Sequence, residues 1–214
     1  MNDKNQVAES IARIKSELDG RARLLAATKT VPPEMINFAI DQGIDLIGEN
    51  RVNELLEKYD LLNRDKTEIH FIGALQTNKV KYIIDKVDMI HSVDRASLAD
   101  EIERQAAKKG IVMPVLAEVN SGNEITKSGV SPTEIYEFCK YLNSLPHLKL
   151  RGLMAIPPKC EEKGGNNEYF CKMRKIFVDI SYQNVDNSNM DVLSLGMSDD
   201  YLDAVECGST MVRI

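Results

Sequence analysis

The stretch LLAATKTVP at residues 24–32 determines how the rest of the chain is interpreted. Its apolar run ends at Lys29, and Pro32 and Pro33 then end the extended segment and open a helix. A short apolar run between turn signals predicts a strand that is buried on both faces, as in a parallel sheet. A lysine at the carboxyl end of such a strand lies near low-dielectric surroundings, which lower its pKa and free a nucleophilic amine. The alternative is an ordinary surface lysine just past a strand end.

Strand and helix patterns alternate along the whole chain. The predicted strands are residues 23–28, 45–50, 68–73, 88–93, 112–119, 148–155, 192–195 and 211–214. The predicted helices are residues 7–18, 33–43, 51–59, 76–86, 95–108, 131–142, 168–182 and 199–206. Strands that alternate with helices form parallel sheets with right-handed crossovers. Eight such units predict a closed (β/α)8 TIM barrel with an extra N-terminal helix, in one domain spanning residues 1–214.

Local signals refine this assignment. Asp94 is predicted to cap the helix at 95–108, which Gly110 ends. Ser131 and Glu134 have the spacing of a capping box, and residues 159–167 are predicted to form a surface loop. An open doubly wound sheet is the competing architecture, but the chain contains no GxGxxG turn and no P-loop to support it.

Composition disfavours several classes of partner. The net charge of −6 argues against nucleic-acid binding, which requires a basic face. No apolar run approaches the length of a membrane span, and the polar N-terminus lacks the apolar core of a signal peptide. The four cysteines and three histidines show no metal-binding spacing. We therefore expect reduced thiols, no metal, a cytoplasmic location and a monomer.

Unusual polar residues fall at the carboxyl ends of the predicted strands, where barrels place their chemistry. The set comprises Lys29, Glu49 to Arg51, His70, Gly73, His91 to Asp94, Asn120, Ser121, Met154, Ser194 to Ser198 and Arg213. So many polar groups suit a small anionic ligand better than a plain packed core.

The last two strands carry the most specific of these residues. Ser198 precedes a predicted helix and can donate to a phosphate, or it can serve only as the N-cap of that helix. Asp199 and Asp200 would repel a phosphate, so we expect them to face away from it. Arg213 lies within the final strand, and an inward-facing guanidinium needs an acceptor. A salt bridge to Glu49 or Glu118 is the alternative to a ligand there.

Taken together, the motifs resemble the YggS/PROSC family of pyridoxal phosphate homeostasis proteins, nearly over the whole chain and in order. They are ATKTV at 27–31, IGENRV at 47–52, HFIGALQTNK at 70–79, HSVD at 91–94, VNSG at 119–122, KSG at 127–129, GLMAI at 152–156, LSLGMSDD at 193–200 and GSTMVRI at 208–214. The resemblance implies a barrel of the alanine-racemase type, which agrees with the alternation of strands and helices.

The resemblance also implies roles for single residues. Lys29 would be the Schiff-base lysine for pyridoxal 5′-phosphate, and Asn50 would lie beside the cofactor ring. Ser198 would bind the phosphate and Arg213 would face the pyridine nitrogen. Met154 and Ser194 would line the pocket.

Arg213 bears on whether such a protein is an enzyme. Enzymes that use pyridoxal phosphate as a strong electron sink place a carboxylate at the pyridine nitrogen, and a guanidinium cannot keep that nitrogen protonated. The family is regarded as non-catalytic, storing or delivering the cofactor, with apoenzymes as recipients and an effect on amino-acid and keto-acid balance. An amino-acid racemase on the same fold and an interaction protein without cofactor are the alternatives.

The sequence departs from the family at one point. In the family, VRI is followed by a Gly-Thr-type pair that donates to the phosphate, and then by a helix that closes the barrel. The sequence given ends at Ile214. The resemblance therefore implies a missing last barrel helix, an incomplete phosphate cup and weaker cofactor retention.

Overall fold

The computed structural model describes residues 3–122, 128–158, 160, 164–182 and 190–214. Eight parallel strands form a closed barrel in which each strand pairs with the next along the chain. The last strand pairs with the first, so that Leu25 lies opposite Arg213. The prediction of a (β/α)8 barrel is confirmed.

The elements follow the predicted order. The strands are β1 Arg23–Ala27, β2 Leu46–Glu49, β3 Glu68–Phe71, β4 Met89–Val93, β5 Met113–Val119, β6 Leu148–Ala155, β7 Val192–Ser194 and β8 Met211–Arg213. The α-helices are α1 Asp3–Leu18, α2 Pro33–Asp41, α3 Val52–Lys58, α4 Val80–Ile83, α5 Ala96–Lys109, α6 Ile135–Asn143, α7 Asn167–Tyr182 and α8 Tyr201–Glu206. Short 3-10 helices occupy Tyr59–Leu61, Arg64–Lys66 and Thr77–Lys79. α1 precedes the barrel, as predicted.

The apolar core has two layers, because successive side chains of a strand point to opposite faces. The smaller layer fills the barrel interior with Leu25, Leu46, Ile72, Met89, Leu116, Met154, Val192 and Met211. The larger layer lies between the outer faces of the strands and the surrounding helices. Burial of each large apolar side chain contributes about 1.5–3 kcal/mol, so both layers stabilise the closed barrel.

Gly152 permits the close approach of β6 and β7. A Cβ atom at this position would lie 1.7 Å from the carbonyl oxygen of Val192, and φ is +152°. The register between β5 and β6 also shifts just before this point, between Val115 and Leu116. Only glycine fits here. Two residues further along β6, Met154 lies opposite Ser194 on β7.

The predicted starts of α4, α5 and α6 are among those that differ from the structure. α5 begins at Ala96 with Arg95 at the N-cap position and no side-chain cap, so the assignment of Asp94 was wrong. Gly110 does end this helix, with φ of +65°. The capping box was also wrong, because α6 begins at Ile135 and the Ser131 hydroxyl bonds that of Thr133. The predicted helix at 76–86 is a 3-10 turn followed by the four-residue α4.

The cysteines depart from the expectation of four reduced thiols. A disulfide joins Cys171 on α7 to Cys207 just past α8, with Cα atoms 5.0 Å apart, whereas Cys139 and Cys160 are free. The two half-cystines are 36 positions apart in sequence, and only the packing of α7 against α8 brings them together.

Part of the predicted loop at 159–167 lies outside the described residues. Within the described ranges, no helix is long and apolar enough to cross a bilayer. Nor do three His, Cys, Asp or Glu side chains meet there in a metal-binding cluster.

Candidate functional site

The six predicted site residues lie along one continuous arc at the carboxyl end of the barrel. The arc runs across β6, β7, β8, β1 and β2, which are neighbours because β8 pairs with β1. Its members are Met154 on β6, Ser194 on β7, Ser198 after β7, Arg213 on β8, Lys29 after β1 and Asn50 after β2. Residues that are far apart in sequence, such as Lys29 and Arg213, are thus brought to one edge of the sheet.

Lys29 follows β1 by two residues. Leu25 belongs to the interior cluster and Ala27 packs against it, so the alternation of the strand continues to Lys29 on the interior side. The side chain itself is exposed. The expectation that Lys29 lies in low-dielectric surroundings is therefore wrong for this structure.

A buried polar network holds the backbone on both sides of Lys29. Glu49 Oε1 accepts a 2.7 Å hydrogen bond from the Thr28 hydroxyl and a 3.1 Å bond from Lys58 Nζ. Lys58 Nζ also donates to the Thr28 carbonyl oxygen at 2.8 Å. The Glu54 carboxylate accepts from the backbone N–H of Thr30, a bond that lowers the pKa of Glu54. The network supports the left-handed conformation of Thr30, whose φ is +61°.

Asn50 and Gly73 meet where β2 and β3 end. The Oδ1 atom of Asn50 is buried and has no hydrogen-bond partner among the described residues. A Cβ atom on Gly73 would lie 2.1 Å from the Asn50 carbonyl oxygen, so only glycine allows this approach. A cavity of about 520 Å³ opens beside Asn50 and is also lined by Arg51, Gln76 and Lys79.

Arg213 is 5% exposed, and its guanidinium is held by oxygen atoms of β6 and β7. Nη1 donates to the backbone oxygen and the hydroxyl of Ser194, each at 2.8 Å, and Nη2 donates to the Ala155 oxygen at 3.2 Å. No carboxylate of the described residues forms a salt bridge with it. The alternative of a salt bridge to Glu49 or Glu118 was therefore wrong. Burial lowers the pKa of Arg213 to about 10, against the opposing influence of Glu118 and Asp200.

Glu118, on β5, is a second unusual group that sequence reasoning considered only as a partner for Arg213. Burial and the nearby charge of Asp94 raise its pKa to about 7, against the opposing influence of Arg213 and Arg95. No sequence motif marks Glu118, because its raised pKa results mainly from burial in the folded barrel.

The turn after β7 presents Ser198 to solvent. α8 begins at Tyr201 with Asp200 at its N-cap position, so Ser198 is not the cap of that helix. The Asp200 carboxylate accepts from the backbone N–H of Met197 at 2.7 Å, and Asp199 is exposed, as expected. In the described chain, the backbone N–H groups of Ser198 and Asp199 have no protein acceptor. They are available to an anion.

Two histidines lie deeper than predicted. Sequence reasoning placed His70 and His91 at strand ends, but both side chains are buried inside the barrel. Their rings are hydrogen-bonded to each other at 2.9 Å, and His91 reaches Ser194. No sequence pattern links them, because they come from adjacent strands and meet only on barrel closure.

Known proteins resemble this chain over its full length. The family described as "Alanine racemase, N-terminal domain" matches residues 3–214. The pyridoxal phosphate homeostasis protein of Aquifex aeolicus is 46% identical over 220 residues, which cover 100% of this chain and 96% of that relative. The chain belongs to the pyridoxal phosphate homeostasis protein family. The resemblance to the YggS/PROSC family is therefore confirmed.

Solved structures agree with this membership. PipY of Synechococcus elongatus, a structure with pyridoxal phosphate bound, has a TM-score of 0.88 and 30% identity, covering 97% of this family member and 96% of PipY. The structure of PipY without pyridoxal phosphate has a TM-score of 0.90. Alanine racemase of Corynebacterium glutamicum, at 17% identity and a TM-score of 0.75, shares the fold, and the chain covers 58% of its length.

Proposed function

We propose that this chain binds pyridoxal 5′-phosphate as a Schiff base on Lys29 and serves in intracellular pyridoxal phosphate homeostasis by storing or delivering the cofactor. One observation carries the proposal. The buried guanidinium of Arg213 lacks a carboxylate partner in the described chain and lies on the strand next to that of Lys29. A buried charge that has hydrogen bonds but no counter-charge is still costly, which supports a role for Arg213 toward a ligand. Residues 1–214 would form a single binding domain.

The residues present suit the shape and charge of this cofactor. The unpartnered Oδ1 of Asn50 would lie beside the ring, with Met154 and Ser194 lining the pocket. Ser198 would hold the phosphate with its hydroxyl and the free N–H groups of its turn. Arg213 has five N–H donors, of which the described residues use three, so two would remain for the pyridine nitrogen. When bound, pyridoxal phosphate supplies an aldehyde and an electron-withdrawing ring.

The properties of Arg213 support a non-catalytic role, although they do not exclude racemisation. Arg213 can donate a hydrogen bond to the pyridine nitrogen, but it does not give up a proton to it. The nitrogen therefore stays neutral, and the ring is a weak electron sink. Storage or delivery of the cofactor requires no more than reversible binding.

A racemase is the second candidate, because of Glu118. β5 is diametrically opposite β1 in the ring of eight strands, so Glu118 and Lys29 come from opposite sides of the barrel. A carboxyl group with a pKa of about 7 can exchange protons near neutral pH. The relationship of the fold to alanine racemase is compatible with weak residual activity. Exchange of the Cα hydrogen of alanine in D2O would support this candidate.

Recipients and location complete the proposal. Apoenzymes that require pyridoxal phosphate would receive it from a monomeric protein in the cytoplasm. The negative net charge disfavours nucleic acid as a partner. A membrane is not a partner in this proposal.

The decisive experiment is a visible spectrum after addition of pyridoxal phosphate, before and after borohydride. We expect a yellow band that reduction fixes to the protein, its loss in Lys29→Ala, and its retention in Lys172→Ala, which removes another exposed lysine. Mass spectrometry of the reduced protein should place the label on the peptide containing Lys29. A wild-type protein that stays colourless, or a label that persists in Lys29→Ala, would contradict the proposal.

A further inference from the structure

A row of polar side chains crosses the barrel interior and meets the arc described above at Ser194. It begins at the amino-terminal end, where a cavity of about 290 Å³ is lined by Glu68, His70 and Arg151 among others. It continues through His91 to Ser194, which contacts Arg213. Polar groups inside an otherwise apolar interior cost free energy unless they satisfy one another.

The groups are spaced for contact along the whole row. Oε2 of Glu68 lies 3.3 Å from Nε2 of His70, although this nitrogen makes no hydrogen bond with the described residues. Nδ1 of His70 is 2.9 Å from Nε2 of His91. Nδ1 of His91 is 3.4 Å from Oγ of Ser194, which accepts from Arg213 at 2.8 Å. The contacts of the two histidines with Glu68 and with Ser194 are therefore longer than the hydrogen bond between their rings.

The two ends of the row determine which atoms donate. A guanidinium only donates and a carboxylate only accepts, so Ser194 Oγ accepts from Arg213 at one end and His70 Nε2 must present its hydrogen to Glu68 at the other. The Ser194 hydroxyl hydrogen then points to Nδ1 of His91. A neutral His91 carries its hydrogen on Nε2 and donates to Nδ1 of His70. In the reverse arrangement the lone pair of His70 Nε2 would face the carboxylate.

Both histidines must be neutral for this arrangement. Burial is the largest influence lowering the pKa of His70 and of His91, and the charges of His70 and Arg213 lower that of His91 further. The carboxylates of Glu68 and Asp88 oppose the shift at His70 alone. A protonated His91 would be a second cation near Arg213, and its Nδ1 could no longer accept a hydrogen bond from the Ser194 hydroxyl.

We infer that His70, His91 and Ser194 form a directed hydrogen-bond relay that the nearby Glu68 carboxylate orients and that positions the Arg213 guanidinium. His91 is a positioning residue, because it acts on the guanidinium of Arg213 through the hydroxyl of Ser194. With Nη1 held by Ser194 and Nη2 by Ala155, the remaining donors of Arg213 are fixed in direction. The consequence for the cofactor rests on the proposed function, but the relay itself does not.

The relay is tested first without cofactor. The chain has only three histidines, so the imidazole 15N resonances can be assigned with single variants. At pH 7 we expect His70 and His91 to be neutral, with the hydrogen on Nε2 in both, and His147 beside Glu103 serves as a reference outside the barrel. A hydrogen on Nδ1 of either buried ring, or a charged ring, overturns the relay.

The positioning role is then tested with pyridoxal phosphate. His91→Leu removes both ring nitrogens. We expect the Kd for pyridoxal phosphate to increase about three- to tenfold, which is the effect of one lost hydrogen bond. The absorption band of the bound cofactor should also shift. His91→Gln keeps a donor and an acceptor and should recover part of the affinity. Met89→Leu, an apolar change in the same interior layer, should match the wild type.

The outcomes separate the two proposals. Wild-type protein that binds no pyridoxal phosphate contradicts the proposed function, and the 15N spectra still decide the relay. Wild-type protein that binds it, with His91→Leu equal to wild type in both affinity and spectrum, overturns the positioning role of His91.

Discussion

Arg213 donates two 2.8 Å hydrogen bonds to Ser194, one to its backbone oxygen and one to its hydroxyl. The same guanidinium reaches the Ala155 oxygen of β6. One buried side chain of β8 therefore joins three adjacent strands. An ammonium group cannot reproduce this planar arrangement of donors.

Arg213→Lys should consequently lower the free energy of unfolding by about 1–3 kcal/mol, because one buried acceptor loses its donor. Urea denaturation would measure the change. Arg151→Lys, whose partner Asp191 is half exposed, should change stability by less than about 1 kcal/mol. Equal effects of the two substitutions would show that the buried contacts of Arg213 add nothing.

Lys58 supports the segment that carries Lys29. Its partner Glu49 is fully buried, so Lys58→Met leaves a carboxylate without its cation and should cost about 3–5 kcal/mol. Adding Glu49→Gln should restore part of this loss. Lys66→Met, which breaks an exposed pair with Asp41, is the control, with an expected cost below about 1 kcal/mol. A double variant no more stable than Lys58→Met would argue against the buried pair.

Glu118 should make stability depend on pH. Its pKa is raised to about 7 in the folded protein, so the folded state binds the proton more tightly than the unfolded state. Its contribution to stability is complete at pH below about 4.5 and is lost as the pH rises through about 7. The free energy of unfolding that is lost between these two pH limits is of the order of 3 kcal/mol. Glu118→Gln should abolish this part of the decline, as measured by urea denaturation at pH 5 and pH 8. Parallel pH profiles for both proteins would contradict the assignment.

The disulfide between Cys171 and Cys207 should stabilise the oxidised protein. Closing a loop of this length removes about 4 kcal/mol of chain entropy from the unfolded state, which is an upper estimate. Cys207→Ser should lower the free energy of unfolding by up to this amount and make it insensitive to dithiothreitol. Cys160→Ser removes an exposed free thiol and should leave both properties unchanged. Wild-type stability that does not respond to reductant would contradict this prediction.

Sequence periodicity was sufficient for the barrel. Eight apolar segments alternate with amphipathic ones, and the predicted strand at 148–155 coincides with β6. Helix starts were less predictable, because a residue such as Ser131 can bond a neighbouring hydroxyl instead of a helix N–H. Short elements such as α4 are determined by packing rather than by propensity.

The candidate site was predictable in its arc but not in its surroundings. Lys29 and Arg213 stand out because charged residues at the ends of apolar strands are unusual, but their predicted roles come from the resemblance to the family. The contacts of His91 and the raised pKa of Glu118 depend on depth inside the barrel, which depends on how the eight strands close. The local sequence does not reveal how deeply a side chain lies inside the closed barrel.

The pairing of β8 with β1 brings together Lys29, which follows β1, and Arg213, which lies on β8. In the proposed site these two residues therefore meet only in the closed barrel, and a partly folded chain without this pairing would lack the complete pocket. A ligand that binds only the closed barrel stabilises it by about 2.7 kcal/mol at a concentration one hundred times its Kd. Under the proposed function, binding of pyridoxal phosphate would thus report that the barrel has closed.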